Sequence, residues 1–221
     1  MAVPRKIGSV SAIVGALVLM TGTMLHPLGA DPGDHLAAFT EYATDDGWVA
    51  SHLCQFVGVA LMFIGLVAVH DTLREGSVAG IARIGVLVGT AALTMAATLQ
   101  AVDGIALKAM VDLWASSAEE HKQAAFFAAL AVRQIEVGAA SFMAILFGAT
   151  VVLFGAAAVK SELYPRWLGW LGIGGGAGTI TGGLLIAFTG FSVIAMNVAM
   201  PFNLILIIWM IAISVHMWRH A

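Results

Sequence analysis

Charged residues are scarce in this chain of 221 residues: they make up 10% of it, whereas 60% of the residues are hydrophobic. A soluble domain of this size needs far more charge to cover its exterior, so the composition predicts an integral membrane protein. The net charge of −3 and the lack of a basic run exclude a nucleic-acid-binding protein. The single cysteine, Cys54, excludes an internal disulfide and a multi-cysteine metal site.

Apolar stretches of about 20 residues, the length that crosses a bilayer, occur six times. They lie at residues 7–28, 49–69, 81–102, within 124–159, at 167–189 and at 194–218. The first stretch exceeds the roughly 7–15 apolar residues of a signal-peptide core, so we interpret it as a retained helix. The sequence therefore predicts an all-α, multi-pass bundle of six transmembrane helices in the cell membrane, with residues 1–221 forming one integral membrane domain.

The distribution of basic residues predicts the orientation of the bundle, because cytoplasmic loops carry an excess of Lys and Arg. With the N-terminus inside, the outer segments hold only Lys108 and Lys122. The inner segments hold Arg5, Lys6, Arg74, Arg83, Lys160, Arg166 and Arg219. Both termini are therefore expected on the cytoplasmic side.

The third and fourth apolar patterns run on for about a dozen residues more than a bilayer needs. The excess falls at the predicted outer end of both, on either side of the turn at residues 116–120. We expect helices three and four to project outward as a hairpin. The loop at residues 29–47 is expected to pack on this hairpin through a short amphipathic helix near residues 35–43.

The fifth predicted helix is rich in glycine, with the spacings Gly172/Gly176, Gly174/Gly178 and Gly178/Gly182. Small residues four apart allow the backbones of membrane helices to approach closely. This helix is therefore expected to pack tightly against a neighbour, either within the chain or in an oligomer. Tryptophans flank most of the predicted spans, which is typical of anchors at the membrane surface.

Polar and ionisable side chains interrupt the apolar runs, nearly all of them in the predicted outer half. A charge at membrane depth costs about 2.5–3.5 kcal/mol, so such a residue normally has a partner or a function. The candidate ligand-binding residues are His26, His52, Gln55, Gln100, Asp103, Lys108, Arg133, Gln134, Glu136 and Asn197.

Two interpretations of this polar set remain open. In the first, Arg133 pairs with Asp103 and Lys108 pairs with Glu136, and the pairs only lock the hairpin together. In the second, the side chains converge in an outward-facing pocket that binds a small anionic or amphipathic molecule, such as a lipid. Arg133 would then hold the anionic group, while the carboxylates orient it and His26 and His52 exchange protons.

A membrane enzyme could use the same residues, with His52, Asp103 and Glu136 as the candidate general acids and bases. His26, His52, Asp103 and Glu136 are also suitable ligands for zinc, iron or manganese. The chain contains neither HxxxH nor HExxH, however, and Arg133 nearby would repel a cation. Haem is disfavoured because His52 and His70 have no matching pair of histidines on one partner helix. The sequence therefore identifies no cofactor.

Four stretches resemble bacterial membrane families described only as domains of unknown function, which are small chains of about six spans. They are the segments Trp48-Val-Ala-Ser-His-Leu-Cys-Gln55, Leu99-Gln-Ala-Val-Asp-Gly104, Val132-Arg-Gln-Ile-Glu136 and Pro165-Arg-Trp-Leu-Gly-Trp-Leu-Gly172. The resemblance covers most of the chain. It implies the six-span fold and no particular chemistry.

Overall fold

A computed structural model describes residues 3–27 and 29–221. The helices are α1 (Arg5–Leu25), α2 (His35–Ala43), α3 (Trp48–Thr72), a 3₁₀ turn (Gly76–Val78), α4 (Ala79–Ala101), a π-helical segment (Val102–Leu107), α5 (Lys108–Ser116), α6 (Glu119–Lys160), α7 (Arg166–Thr189) and α8 (Val193–Arg219). The described residues contain no strand. The all-α prediction is therefore confirmed.

Six helices are long and apolar enough to cross a membrane. The 3₁₀ turn, α4, the π-helical segment and α5 together form one of them, which has 41 residues, and α6 has 42. Only 28–44% of the most apolar stretch of each span is buried inside the protein. Large apolar side chains such as Leu87, Phe142 and Phe188 are exposed instead. A surface of this kind is stable against lipid, which confirms a multi-pass membrane bundle in contact with the bilayer.

The first helix ends three residues earlier than the sequence predicted. Helix α1 stops at Leu25, and His26 has an extended backbone, with ψ of 135°. Steric conflict with the ring of Pro27 disfavours helical geometry at the residue before it, which accounts for the stop. Position 28, the predicted end, lies outside the described residues.

The six spans form a closed ring in which α1 packs on α3, α3 on α4, α4 on α6, α6 on α7, α7 on α8, and α8 on α1. Glycines allow close approach around this ring. A Cβ added to Gly148 of α6 would lie 2.5 Å from the carbonyl oxygen of Gly176 in α7. The predicted tight packing of the glycine-rich helix therefore occurs within the chain. A Cβ added to Gly174 would meet no described atom within 4 Å, and the oligomer contact stays a prediction.

Two apolar clusters mark the two ends of the bundle. One gathers Leu66, Phe154, Trp209 and Ile213 among its members. The other is built where α2 packs on the π-helical segment, α5 and α6, through Ala38, Phe39, Tyr42, Trp48, Leu107, Val111, Trp114 and Ala129. Asp34 starts α2 by accepting hydrogen bonds of 3.1 Å from the backbone N–H groups of Leu36 and Ala37. The expected short helix therefore forms and packs on the long hairpin.

Four polar residues lie at a similar height along their helices. His26, His52, Asp103 and Glu136 are each 20–24 residues from the opposite end of α1, α3, α4 and α6, respectively. At 1.5 Å per residue this is roughly 30–36 Å. This distance is similar to the thickness of the hydrocarbon core of a bilayer, which is about 30 Å.

Candidate functional site

Three polar side chains from three separate elements meet at one end of the bundle. His26 follows the last turn of α1, His52 lies in the second turn of α3, and Asp103 belongs to the π-helical segment. A ring nitrogen of each histidine and a carboxylate oxygen of Asp103 lie within 4.8 Å of one another. The two imidazole rings are 5.0 Å apart between centroids. Two ring nitrogens and one carboxylate oxygen therefore lie close to a common point.

Main-chain carbonyls fix the tautomer of both histidines. Nδ1 of His26 donates a hydrogen bond of 2.7 Å to the carbonyl oxygen of Pro27. Nδ1 of His52 donates one of the same length to the carbonyl oxygen of Trp48. A carbonyl oxygen only accepts, so Nδ1 carries the proton in each ring and Nε2 of a neutral ring has the lone pair. Metal-bound histidines are typically held in this way.

The contact between His52 and Asp103 requires a positive species between them. Nε2 of His52 lies 3.0 Å from Oδ2 of Asp103. In the neutral tautomer two lone pairs would face each other, so either a proton or a cation must occupy the contact. The other carboxylate oxygen, Oδ1 of Asp103, is buried without a hydrogen-bond partner among the described residues. A proton at Nε2 would leave this oxygen unsatisfied, whereas a shared cation can engage it.

The π-helical segment holds Asp103 in place. A π turn widens the helix and is frequently found at functional sites. The indole Nε1 of Trp48 donates a hydrogen bond of 3.0 Å to the carbonyl oxygen of Asp103. Gly104 lies directly against His52, because a Cβ at this position would be 2.6 Å from the Cβ of His52. Because Gly104 has no side chain, the π-helical segment can approach α3 closely enough for the Asp103 carboxylate to contact the His52 ring.

Aromatic rings enclose the histidines. Trp48 packs on His52 and on His26, with ring centroids 4.5 and 4.6 Å apart, and Tyr42 of α2 packs on Trp48 at 4.2 Å. Trp48 is fully buried, so its interpretation as a surface anchor is wrong. The indole instead supports His52 and Asp103 together.

The surroundings of the rings also set their charge. Burial lowers the pKa of His26, and the negative charges of Asp103 and Asp45 act in the opposite direction. Burial likewise raises the pKa of Tyr42, so its phenol stays neutral at pH 7. Asp45 accepts a hydrogen bond of 2.7 Å from the N–H of Gly47 through Oδ1. Its Oδ2 is buried without a partner among the residues that the structure describes.

A buried ion pair lies beside this group. Nη1 of Arg133 donates to both carboxylate oxygens of Glu136, at 2.7 and 2.8 Å. Both residues belong to α6, three positions apart, and are 3% and 2% exposed. The guanidinium lies 5.7 Å from the ring of Tyr42. Because Tyr42 also contacts His26, the ion pair and the histidine group form one continuous buried cluster.

The predicted partners of these charges were wrong. Arg133 does not pair with Asp103, because Asp103 is bound to His52 on the other side of the cluster. Lys108 does not pair with Glu136 and instead donates a hydrogen bond of 2.7 Å to Asp112, one turn along α5. In both cases the residue three or four positions away on the same helix is the nearer partner. The pairs therefore do not lock the two long helices together.

Of the remaining candidate ligand-binding residues, some lie next to the group formed by His26, His52 and Asp103, and others lie away from it. Gln100 lies three residues before Asp103, and Gln55 lies three residues after His52. Gln100 donates a hydrogen bond of 3.3 Å to Gln55, so this pair lies beside the group formed by His26, His52 and Asp103. Gln134 and Asn197 are exposed and lie outside it. An open groove of about 590 Å³ runs along α2 and is lined by Ala30, Leu36, Thr40 and Thr44 rather than by the histidines. The predicted ligand pocket therefore stays a prediction.

Comparison with known families assigns the chain to one of them. The sequence profile of a domain of unknown function, DUF4386, matches residues 6–213. The chain belongs to the DUF4386 family. The match includes at least part of every span and all the polar residues of the cluster, which confirms the expected membership of a family of unknown function. No curated protein and no solved structure matches the chain.

Several residues of the site in this DUF4386 chain could not be recognised as site residues from the sequence. Tyr42 and Trp48 resemble interfacial aromatics, and Gly104 resembles any small residue in a membrane helix. The one usable signal was the short segment Asp103-Gly104, since a polar residue followed by glycine is unusual in the middle of an apolar helix.

Proposed function

We propose that this protein is a membrane-embedded metalloprotein in which His26, His52 and Asp103 hold a divalent transition-metal ion, with zinc as the first candidate. The observation that carries the proposal is the buried carboxylate of Asp103, which faces Nε2 of His52 through one oxygen while its other oxygen has no partner among the described residues. Zinc accepts this combination of two imidazoles and one carboxylate.

The separation of the donor atoms supports such an ion. Ligand atoms about 2.0–2.1 Å from zinc are roughly 3.4 Å apart in a tetrahedral site. The donors here are no more than 4.8 Å apart, so side-chain movements of about 1 Å would bring them to these distances. The carbonyl-bound Nδ1 atoms supply the outer hydrogen bonds that orient metal-ligating histidines.

The charge balance also favours a cation. Asp103 is a ligand, and Asp45 adds a second negative charge near His26. The repulsion expected from Arg133 is offset, because Glu136 binds the guanidinium with both oxygens. Glu136 is therefore the counter-ion of Arg133 rather than a fourth ligand.

Three protein ligands leave one position of a tetrahedral ion open to water or substrate. A metal ion in such a site lowers the pKa of bound water and polarises a carbonyl or phosphoryl oxygen. The arrangement is therefore suited to hydrolysis by a membrane enzyme, in which His52 and Asp103 act as ligands. This role replaces the general acid–base role considered from the sequence.

Metal analysis of purified protein tests the proposal. We expect about one zinc ion per chain in the wild type, removed by a strong chelator and restored by added zinc, and almost none in Asp103→Asn, since a three-ligand site loses its charged ligand. Asp112→Asn is the matched control, because Asp112 pairs with Lys108 away from the centre. A wild-type protein that binds no zinc, iron or manganese after reconstitution would contradict the metal centre. The contact between His52 and Asp103 would then be a structural hydrogen bond with a proton on Nε2 of His52.

We further propose that both termini face the cytoplasm of the cell membrane, so that the centre lies near the outer surface. The excess of basic residues at the opposite end of the bundle supports this orientation. In a Cys54→Ser background, we expect a membrane-impermeant maleimide to label Thr40→Cys in intact cells and to label Ser77→Cys only after lysis. Thr40 and Ser77 are both exposed, so equal access before lysis would contradict the orientation.

A further inference from the structure

The salt bridge between Arg133 and Glu136 does not join two helices. Both partners lie on α6, and the pair is almost fully buried. A buried ion pair within one helix holds no two helices together, although removing two charges from water is costly. Its place beside the histidine group therefore calls for another explanation.

Half of the Arg133 guanidinium is unused. Glu136 occupies Nη1, whereas Nη2 donates a long hydrogen bond of 3.4 Å to the carbonyl oxygen of Pro32, and the Tyr42 hydroxyl also lies near the guanidinium. Nε is buried without a partner among the described residues. Guanidinium groups bind carboxylate and phosphate through two parallel N–H groups, and the Nε/Nη2 edge is one of the edges that can do so. This edge is therefore the part of the guanidinium that Glu136 leaves for an oxyanion, and the Pro32 carbonyl covers it.

Two aromatic rings hold the guanidinium in place. The Arg133 carbon Cζ lies 4.6 Å from the ring of Phe191 and 5.7 Å from that of Tyr42. Rings at these distances stabilise the cation and restrict its plane. The free edge is thus presented in a fixed direction, which favours a planar or tetrahedral oxyanion over a diffuse negative charge.

The segment that joins α1 to α3 covers the Nε/Nη2 edge of Arg133. Pro32 lies in the loop before α2, and this loop is closed by hydrogen bonds of 2.9 Å from the N–H groups of Gly29 and Ala30 to the carboxylate of Glu41. A ligand oxygen that binds Nη2 of Arg133 would take the place of the Pro32 carbonyl, so this part of the loop must move aside. Tyr42 connects that position to His26 and the proposed metal centre.

We infer that Arg133 is the binding residue for the anionic group of the substrate, a phosphate. This inference rests on the proposed metal centre for the reacting end of the same molecule. The anion can come from a lipid headgroup or from a water-soluble metabolite, because both present the same oxygens to the guanidinium. Glu136 keeps Arg133 charged and leaves the Nε/Nη2 edge for the ligand.

Binding to purified, zinc-loaded protein in detergent tests the inference. Phosphatidic acid adducts are measured by native mass spectrometry, with phosphatidylcholine for comparison, and inorganic phosphate is titrated by calorimetry. Because a lone Glu136 would endanger folding, the main variant is Arg133→Gln with Glu136→Gln, which removes both charges. Arg133→Lys keeps the charge without the planar edge, and Gln134→Ala on the exposed side of α6 is the matched control.

We expect the wild type and Gln134→Ala to bind one of the two probes. We expect the double variant and Arg133→Lys to bind it about tenfold or more weakly, with zinc content unchanged. Phosphatidic acid as the bound probe identifies a lipid, and inorganic phosphate alone identifies a soluble ligand. Zinc-loaded wild type that binds neither probe, or a double variant that binds as well as wild type, overturns the inference and leaves the metal centre intact. Anion binding through Arg133 in a protein that takes up no metal supports the anion site and overturns the metal centre.

Discussion

Replacing Glu136 by Gln alone should destabilise the protein by about 3–5 kcal/mol, because the charge of Arg133 would remain buried without its counter-ion. Arg133 is 3% exposed, and Nη1 makes both of its short hydrogen bonds to Glu136. The guanidinium is therefore shielded from water by the residues that surround it. The measurement is reversible unfolding in mixed micelles, followed by circular dichroism.

The double variant Arg133→Gln with Glu136→Gln should recover most of this loss, since two neutral amides replace two charges. Comparison of the double variant with both single variants, Arg133→Gln and Glu136→Gln, gives the coupling energy of the pair. Gln134→Ala, on the exposed side of the same turn, should change the unfolding free energy by less than about 0.5 kcal/mol. A Glu136→Gln protein as stable as Gln134→Ala would mean that Arg133 reaches water or another anion.

The second large effect is expected from Gly104→Ala, the smallest change that can separate the π-helical segment from α3. The new Cβ would lie 2.6 Å from the Cβ of His52, an atom fixed to the backbone of α3. The clash can be relieved only if the two helices move apart, which typically costs about 1–3 kcal/mol. The same movement would draw Asp103 away from His52.

Zinc affinity should therefore fall by about 10–100-fold in Gly104→Ala, the range seen when the support of a metal ligand is lost. Competition with a fluorescent zinc chelator measures this change. Gly138→Ala is the matched control, because a Cβ on this glycine of α6 meets no described atom within 4 Å. Unchanged zinc affinity in Gly104→Ala would contradict the role of the close contact in forming the centre.

The sequence predicted the membrane fold well because hydropathy and length are properties of single segments. The six spans, the short helix at His35–Ala43 and the packing of the glycine-rich helix all follow from local patterns. The predicted ends of the helices were less accurate where a single residue determines the end of a helix, as Pro27 does for α1.

The candidate site was predictable only in part, because side-chain partners depend on how helices are rotated in three dimensions. The sequence selected His26, His52 and Asp103, which the structure brings together. It could not assign the partners of Arg133 and Lys108, since several acids lay at similar heights. The π-helical segment was invisible in the pattern, because a helix with one wider turn has almost the same apolar periodicity.

All three proposed metal ligands lie within the first 103 residues, ahead of α6, α7 and α8. During synthesis the ribosome therefore delivers the complete donor set with the third membrane segment, while the Arg133–Glu136 pair is still to be translated. The centre and its charged neighbour consequently belong to different stages of biogenesis. Helices α6, α7 and α8 are inserted later and pack around donor residues that are already in the bilayer.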